Sequence, residues 1–84
     1  MNHRLVTAAQ LGQLLQTARR AAGRSQADLA ATVGLSQSRV SKLELNPGTV
    51  TVDQLLALCA SLDLELTLQP RSTGPQATPQ SDAW

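Results

Sequence analysis

The chain has 84 residues and a net charge of +1, which limits it to one small domain and excludes large enzymes with cofactor domains. Trp84 is the only aromatic residue, so the core has to be built from aliphatic side chains. One cysteine and one histidine can form neither an internal disulfide nor a zinc site, so no metal or other cofactor is expected. A single cysteine favours a reducing, cytoplasmic location. No apolar run approaches the roughly 20 residues that span a bilayer, so no membrane partner is expected.

The charges are divided unevenly along the chain. Residues 1–42 carry six basic side chains against the single acidic Asp28, and residues 43–69 carry four acidic side chains and no basic one. A basic half beside an acidic half favours a surface that binds a polyanion. So small an imbalance is also compatible with solvated charges that have no partner, and the motifs have to decide between the two.

Two capping boxes mark the first and last of four predicted helices. Thr7 and Gln10 form the first box, and the apolar spacing that follows predicts a helix over about residues 8–22. Thr51 and Gln54 repeat the pattern before a helix that reaches about residue 62, and its predicted apolar stripe is Val52, Leu55, Leu56, Cys59 and Leu62. These two helices are expected to enclose a shorter central unit.

That central unit consists of two short helices joined by a glycine-containing turn. Ser25 is a good N-cap for the second helix, and Gly34 ends it because glycine adopts positive φ freely. Ser36 caps the third helix, which ends at Asn46–Pro47–Gly48. This pattern is typical of a helix-turn-helix unit, whose second helix enters the major groove of DNA. A plain helical bundle with a solvated polar face is the alternative.

Val40 and Leu43, three residues apart, are the predicted buried pair of the third helix. Its outward side is polar and nearly free of acidic residues, which suits the major groove. Glutamine bonds bidentately to adenine, serine bonds to base edges, and lysine or arginine binds guanine or phosphate. The start of the second helix, at Ser25 and Gln26, favours a phosphate because its backbone N–H groups are unpaired. The predicted partner is double-stranded DNA, contacted from the third helix by Gln37, Ser38, Ser41 and Lys42, with Arg39 alongside.

Residues 64–69 alternate strictly between apolar and polar, which is the period of a half-buried strand. Leu64, Leu66 and Leu68 form its apolar face, and its backbone N–H and C=O groups need partners. Within the chain only residues 4–6 could pair with it, so we expect the same strand of a second copy to pair with it about a two-fold axis. The alternatives are that the segment extends the fourth helix or packs alone.

The predicted organisation is one DNA-binding and dimerisation domain over residues 1–69, followed by a flexible, proline-rich polar tail over 70–84. Trp84 is either an incidental last residue of that tail or an anchor for a partner protein, because tryptophan is enriched at binding hot spots. No base is placed beside a nucleophile, since His3 lies close to the start of the chain. No catalytic residue and no enzymatic activity are therefore expected.

From Ser25 to Glu44 the sequence resembles the XRE family of helix-turn-helix regulators, which includes the lambdoid phage repressors and Cro. Within that family it is most similar to the HipB antitoxins, and the resemblance covers about residues 8–62. The strand at 64–68 and a polar tail ending in tryptophan are further shared features. The shared residues are Ser25–Gln26–Ala27–Asp28–Leu29–Ala30, Gly34–Leu35 before Ser36–Gln37, and Asn46–Pro47.

This resemblance implies a mainly α fold, a lambda-repressor-like bundle of four to five helices with a short C-terminal strand paired across a dimer. HipB-like proteins bind palindromic operators, repress their own operon, and bind and restrain a HipA-like serine/threonine kinase toxin. Trp84 would then be the toxin-binding end of the tail. A stand-alone XRE repressor without a toxin, a protein-interaction module without DNA binding, and a restraint shared with a third protein all stay open.

The resemblance also assigns roles to individual residues by position. Arg39 and Lys42 could read bases instead of phosphates, since these positions vary in type across the family. The implied base-reading residues are Ser36, Gln37, Ser38 and Ser41, and the implied phosphate-positioning residues are Ser25, Gln26, Arg39 and Lys42.

Overall fold

The computed structural model describes residues 4–71, which contain the four predicted helices in the predicted order. The remaining residues, 1–3 and 72–84, among them Trp84, lie outside the described part of the chain. None of the helices found in residues 4–71 has the length and apolar character needed to cross a membrane. The helices are α1 Ala8–Ala21, α2 Gln26–Val33, α3 Gln37–Leu45 and α4 Val52–Ser61, with a 3₁₀ turn at Pro47–Thr49 between α3 and α4.

The predicted capping boxes are confirmed, and they explain where α1 and α4 begin. The Thr7 hydroxyl accepts from the Gln10 N–H at 3.2 Å, and Gln10 Oε1 accepts from the Thr7 N–H at 3.1 Å. Thr51 and Gln54 make the same pair of contacts at 3.0 and 3.1 Å. Each box satisfies backbone N–H groups that the first turn of a helix leaves without a partner.

The turn between α2 and α3 is held at both of its ends. Gly34 has a φ of 75°, the left-handed conformation predicted for it. The next amide, that of Leu35, donates to the Ala30 carbonyl at 3.0 Å. Ser36 Oγ then accepts from the Arg39 N–H at 3.1 Å and starts α3. The angle between the two helices therefore depends on short-range contacts within this turn.

The core is aliphatic, as the composition requires. α3 contributes Val40 and Leu43, each 1% exposed, so the opposite side of this helix faces outward. In α4 the predicted apolar stripe is partly wrong, because Val52 and Leu56 are 69% and 47% exposed. The helix instead turns Leu58 inward, which is 2% exposed. The buried core consists of Leu15, Leu29, Ala30, Val40, Leu43, Leu58 and Leu62.

The predicted strand at 64–69 is not formed within residues 4–71, and this part of the fold prediction needs correction. The segment does not extend α4 either, because Asp63 has a φ of 59° and the Leu64 N–H turns back to the Cys59 carbonyl at 2.7 Å. Leu66 and Leu68 are 42% and 91% exposed. A strand exists only where a second strand completes its hydrogen-bond ladder, and a single copy does not supply one here. Pairing with a second copy stays a prediction.

Candidate nucleic-acid interface

The predicted base-reading residues share the outward face of α3. Gln37, Ser38 and the capping Ser36 are exposed, and Ser41 is half-buried. Lys42 is also exposed, one turn beyond Ser38. An open depression on this face is lined by Ser36, Ser38, Arg39 and Lys42. A short polar helix presented in this way has hydrogen-bond donors and acceptors available for base edges and phosphates.

The start of α2 lies beside the start of α3. Ser25 is exposed at the N-cap of α2, where its hydroxyl accepts from the Asp28 N–H at 3.0 Å. Gln26 Oε1 accepts from Gln37 Nε2 at 2.8 Å. This bond joins a predicted phosphate-positioning residue directly to a predicted base-reading residue.

Behind this pair lies a buried ion pair that the sequence analysis missed. Arg19 Nε donates to Glu44 Oε2 at 2.7 Å and Arg19 Nη2 donates to Glu44 Oε1 at 3.1 Å. The two side chains are only 9% and 3% exposed. Gln26 Nε2 donates to the same carboxylate at 3.0 Å. No local pattern connects Arg19 with Glu44, since they lie 25 residues apart in the chain.

The charges of this network fix the direction of its hydrogen bonds. Burial raises the pKa of Glu44, but hydrogen bonds from Arg19 and Gln26, with the positive charges of Arg19 and Arg20, bring that pKa below the ordinary glutamate value. The hydrogen bond to Glu44 raises the pKa of Arg19. An ionised carboxylate only accepts, so Gln26 donates its Nε2 to Glu44 and presents its Oε1 to Gln37. The amide of Gln37 is thereby oriented from within the protein.

Arg39 lies on α3, but its guanidinium is directed toward the start of α4. Its Nη1 donates to Thr49 Oγ1 at 3.1 Å, and its Nη2 donates to the Thr49 carbonyl at 2.9 Å and to Gln54 Oε1 at 3.0 Å. These three contacts were not expected from the sequence. They connect the first turn of α3 to the 3₁₀ turn and to the capping box of α4.

Cys59 lies in the core and not on the surface formed by α2 and α3. Cys59 is buried in α4, and burial raises the pKa of its thiol, so it stays protonated as a core side chain. Over residues 4–71, no three histidine, cysteine, aspartate or glutamate side chains are grouped as ligands of a metal ion. The exposed side chains of α2 and α3 offer hydrogen bonding and charge attraction.

Comparison with known proteins gives a consistent set of relatives. The chain matches the family described as Helix-turn-helix over residues 15–69, a range that includes all of α2, α3 and α4. It is 30% identical over 74 residues to Antitoxin HipB of Escherichia coli K12, which covers 87% of this chain and 84% of that protein. Antitoxin HipB of Escherichia coli O6:H1 is also 30% identical over 74 residues, covering 87% of this chain and 79% of that protein.

Two solved complexes are similar in fold as well as in sequence. The HipB chain of a HipA–HipB–O2–O3 complex has a TM-score of 0.78 and 27% identity, covering 84% of this chain and 100% of that chain. The HipB chain of a HipB–O1–O2 complex has a TM-score of 0.75 and 28% identity, covering 82% of this chain and 100% of that chain.

Proposed function

This chain belongs to the XRE-type helix-turn-helix family as a HipB-like protein, and from that membership we propose that it is a DNA-binding antitoxin that represses its own operon. The observation that carries the proposal is the exposed polar face of α3, which lies opposite the buried Val40 and Leu43. A helix held in this way by the core can enter a major groove without disturbing the fold.

Within this proposal the residues around α3 divide into two roles. The serine and glutamine side chains at the start of α3 and on its outward face read base edges. The start of α2 and Lys42 bind phosphates. Arg39 stands apart from both groups, because its guanidinium already contacts Thr49 and Gln54. The proposed base-reading residues are Ser36, Gln37, Ser38 and Ser41, and the proposed phosphate-positioning residues are Ser25, Gln26 and Lys42.

The proposed unit that binds DNA is a homodimer. Leu64, Leu66 and Leu68 of each copy pair as a two-stranded sheet, and the exposure of Leu66 and Leu68 in the single chain supports this. Val52 and Leu56 leave a further apolar area exposed on α4. A two-fold pair of α3 helices about 34 Å apart would read two half-sites of a palindrome.

The proposed protein partner is a HipA-like serine/threonine kinase, since a solved structure similar to this chain is of HipB bound with HipA. We assign DNA binding and dimerisation to residues 1–69 and kinase contact to the tail at 70–84. Trp84, outside the described residues, is the proposed anchor of that tail, because a tryptophan contributes a large apolar contact area at hot spots.

The test uses the full-length chain from its native host. We expect it to bind DNA upstream of its own gene in preference to a scrambled duplex of equal length, and to co-purify with a HipA-like kinase. DNA preference without a kinase would identify a stand-alone repressor, which is the alternative. A kinase without DNA preference would identify a protein-interaction module and contradict the proposed repression.

Two variants of the same chain assign the contacts. Gln37→Ala should reduce the preference for the upstream DNA by about 1–3 kcal/mol, the value of a bidentate base contact. Gln13→Ala, at an exposed glutamine of α1, is the matched control and should not change the DNA preference.

Removal of residues 82–84 should weaken kinase capture and leave DNA binding intact. Unchanged kinase capture would contradict the role of Trp84.

A further inference from the structure

Arg39 donates to three acceptor atoms, which belong to Thr49 and Gln54. Thr49 belongs to the 3₁₀ turn, and its backbone carbonyl and its hydroxyl both accept from the guanidinium, at 2.9 and 3.1 Å. Gln54 Oε1 accepts from Arg39 at 3.0 Å while it also accepts from the Thr51 N–H in the α4 capping box. The guanidinium of Arg39 therefore connects α3 to the 3₁₀ turn and to the first turn of α4.

α3 is a helix of nine residues, so two fixed points are enough to set its direction. Near its end, Glu44 is bound to Arg19 of α1. Near its start, Arg39 is bound to Thr49 and Gln54. Gln37 and Ser38, which read bases in the proposed function, lie within two residues of Arg39. Loss of the contacts of Arg39 would leave this end of the helix less firmly placed.

We propose that Arg39 is a positioning residue, which sets the direction of α3 through Thr49 and Gln54, and that it does not serve as a phosphate contact. The proposal rests on the proposed DNA-binding function. A planar guanidinium with several N–H donors suits acceptors in two different elements, and a lysine ammonium cannot reproduce this fork. A positive charge at position 39 is therefore not sufficient to set the direction of α3.

The two roles predict different responses to salt. A side chain that neutralises a phosphate releases a counterion, and its removal lowers the slope of log affinity against log salt by about 0.9. Arg39 is half-buried, and its contacts join two groups of the same protein, so their loss releases no counterion from DNA. Lys42, exposed on the same helix, is the matched cation for which the phosphate role is proposed.

The experiment measures the affinity of the full chain for its upstream DNA and for a random duplex over a series of salt concentrations. We expect Arg39→Lys and Arg39→Ala to weaken operator binding by a similar factor, about tenfold, with an unchanged salt slope. The affinity of Arg39→Lys for random DNA should stay the same. Lys42→Ala should lower the salt slope by about 0.9 per subunit.

Thr49→Val tests the same contact without touching a charge. It removes the hydroxyl acceptor of Arg39 and should weaken operator binding in the same direction, with no further loss when it is added to Arg39→Lys. Circular dichroism melts of each variant are the control, and they should show a fully folded protein at the binding temperature. If the contact between Arg39 and Thr49 only stabilised the fold, a fully folded variant would bind the operator with unchanged affinity.

Three results would overturn the proposal: wild-type operator affinity in Arg39→Lys, a slope for Arg39→Ala that falls as it does for Lys42→Ala, or unchanged binding by Thr49→Val. Failure of the proposed function would be seen instead in the unmodified protein, which would then bind upstream and random DNA equally. The two failures are therefore distinguishable.

Discussion

Gly12 and Glu44 set how closely α1 approaches the end of α3. A Cβ atom at position 12 would lie 3.2 Å from the Glu44 carbonyl carbon and from Pro47 Cδ, and closer still to the Glu44 carbonyl oxygen. The Glu44 side chain meanwhile binds Arg19 of α1. Glu44 of α3 thus contacts α1 through both its backbone and its carboxylate. These contacts determine how closely α3 packs against α1.

Gly12→Ala is expected to destabilise the protein by about 1–3 kcal/mol, because the added methyl group meets backbone that cannot move aside. The gain in helix propensity, about 1 kcal/mol, offsets only part of this cost. Urea denaturation measures the change. Gln13→Ala, at the next and exposed position of α1, is the control and should be close to neutral. Equal stability of Gly12→Ala and the unmodified protein would contradict the close approach.

Among the elements, α3 and the segment 64–69 depend on partners of different kinds. α3 is held by contacts within one chain, through Arg39 at its start and Glu44 near its end. Residues 64–69 have the alternation of a strand without a ladder partner in the single chain. Leu66 and Leu68 consequently expose apolar surface, which the second copy covers in the proposed dimer.

Leu66→Asp is expected to weaken the dimer by at least tenfold, because it places an unpaired charge in the proposed apolar interface. Thr67→Asp introduces the same charge on the opposite face of the proposed strand and is the matched control. Sedimentation equilibrium gives the dimer dissociation constant of both variants. If the two substitutions weaken the dimer equally, or neither does, the proposed pairing is wrong.

At the scale of the whole molecule, the buried ion pair makes folding depend on pH. The pKa of Glu44 is lower in the folded protein than in the unfolded chain, since Arg19 and Gln26 stabilise its ionised form. Such a group contributes stability above its unfolded pKa, about 4.3, and that stability is lost as the pH falls through the folded pKa. Protonation of Glu44 would leave Arg19 buried beside a neutral partner.

The free energy of unfolding should therefore fall as the pH drops below about 4.3. Glu44→Gln should cost about 3–5 kcal/mol at neutral pH, because it leaves the buried Arg19 without a counter-charge. The same variant should lose less stability than the unmodified protein on acidification. Glu65→Gln, which removes an exposed carboxylate, controls for the change in net charge. Parallel pH profiles for Glu44→Gln and the unmodified protein would contradict this coupling.

The local features of this fold could be predicted from short stretches of sequence. Thr7 with Gln10 and Thr51 with Gln54 define two helix starts, because a capping box involves only residues three apart. Gly34 ends α2 for an equally local reason, its positive φ. Because Val40 and Leu43 face inward, the outward face of α3 was predictable as well, and the structure exposes Gln37 and Ser38 as expected.

What the amino-acid sequence determined by itself was the order and the ends of the helices, together with the polar face of α3. Only the tertiary structure decided which side chains support that face, namely Arg19 with Glu44 behind Gln26, and Thr49 with Gln54 beneath Arg39. It also decided that α4 turns Val52 and Leu56 outward. The physical reason is distance along the chain: caps and turns depend on residues three or four positions apart, whereas these contacts join helices that only the packed core brings together.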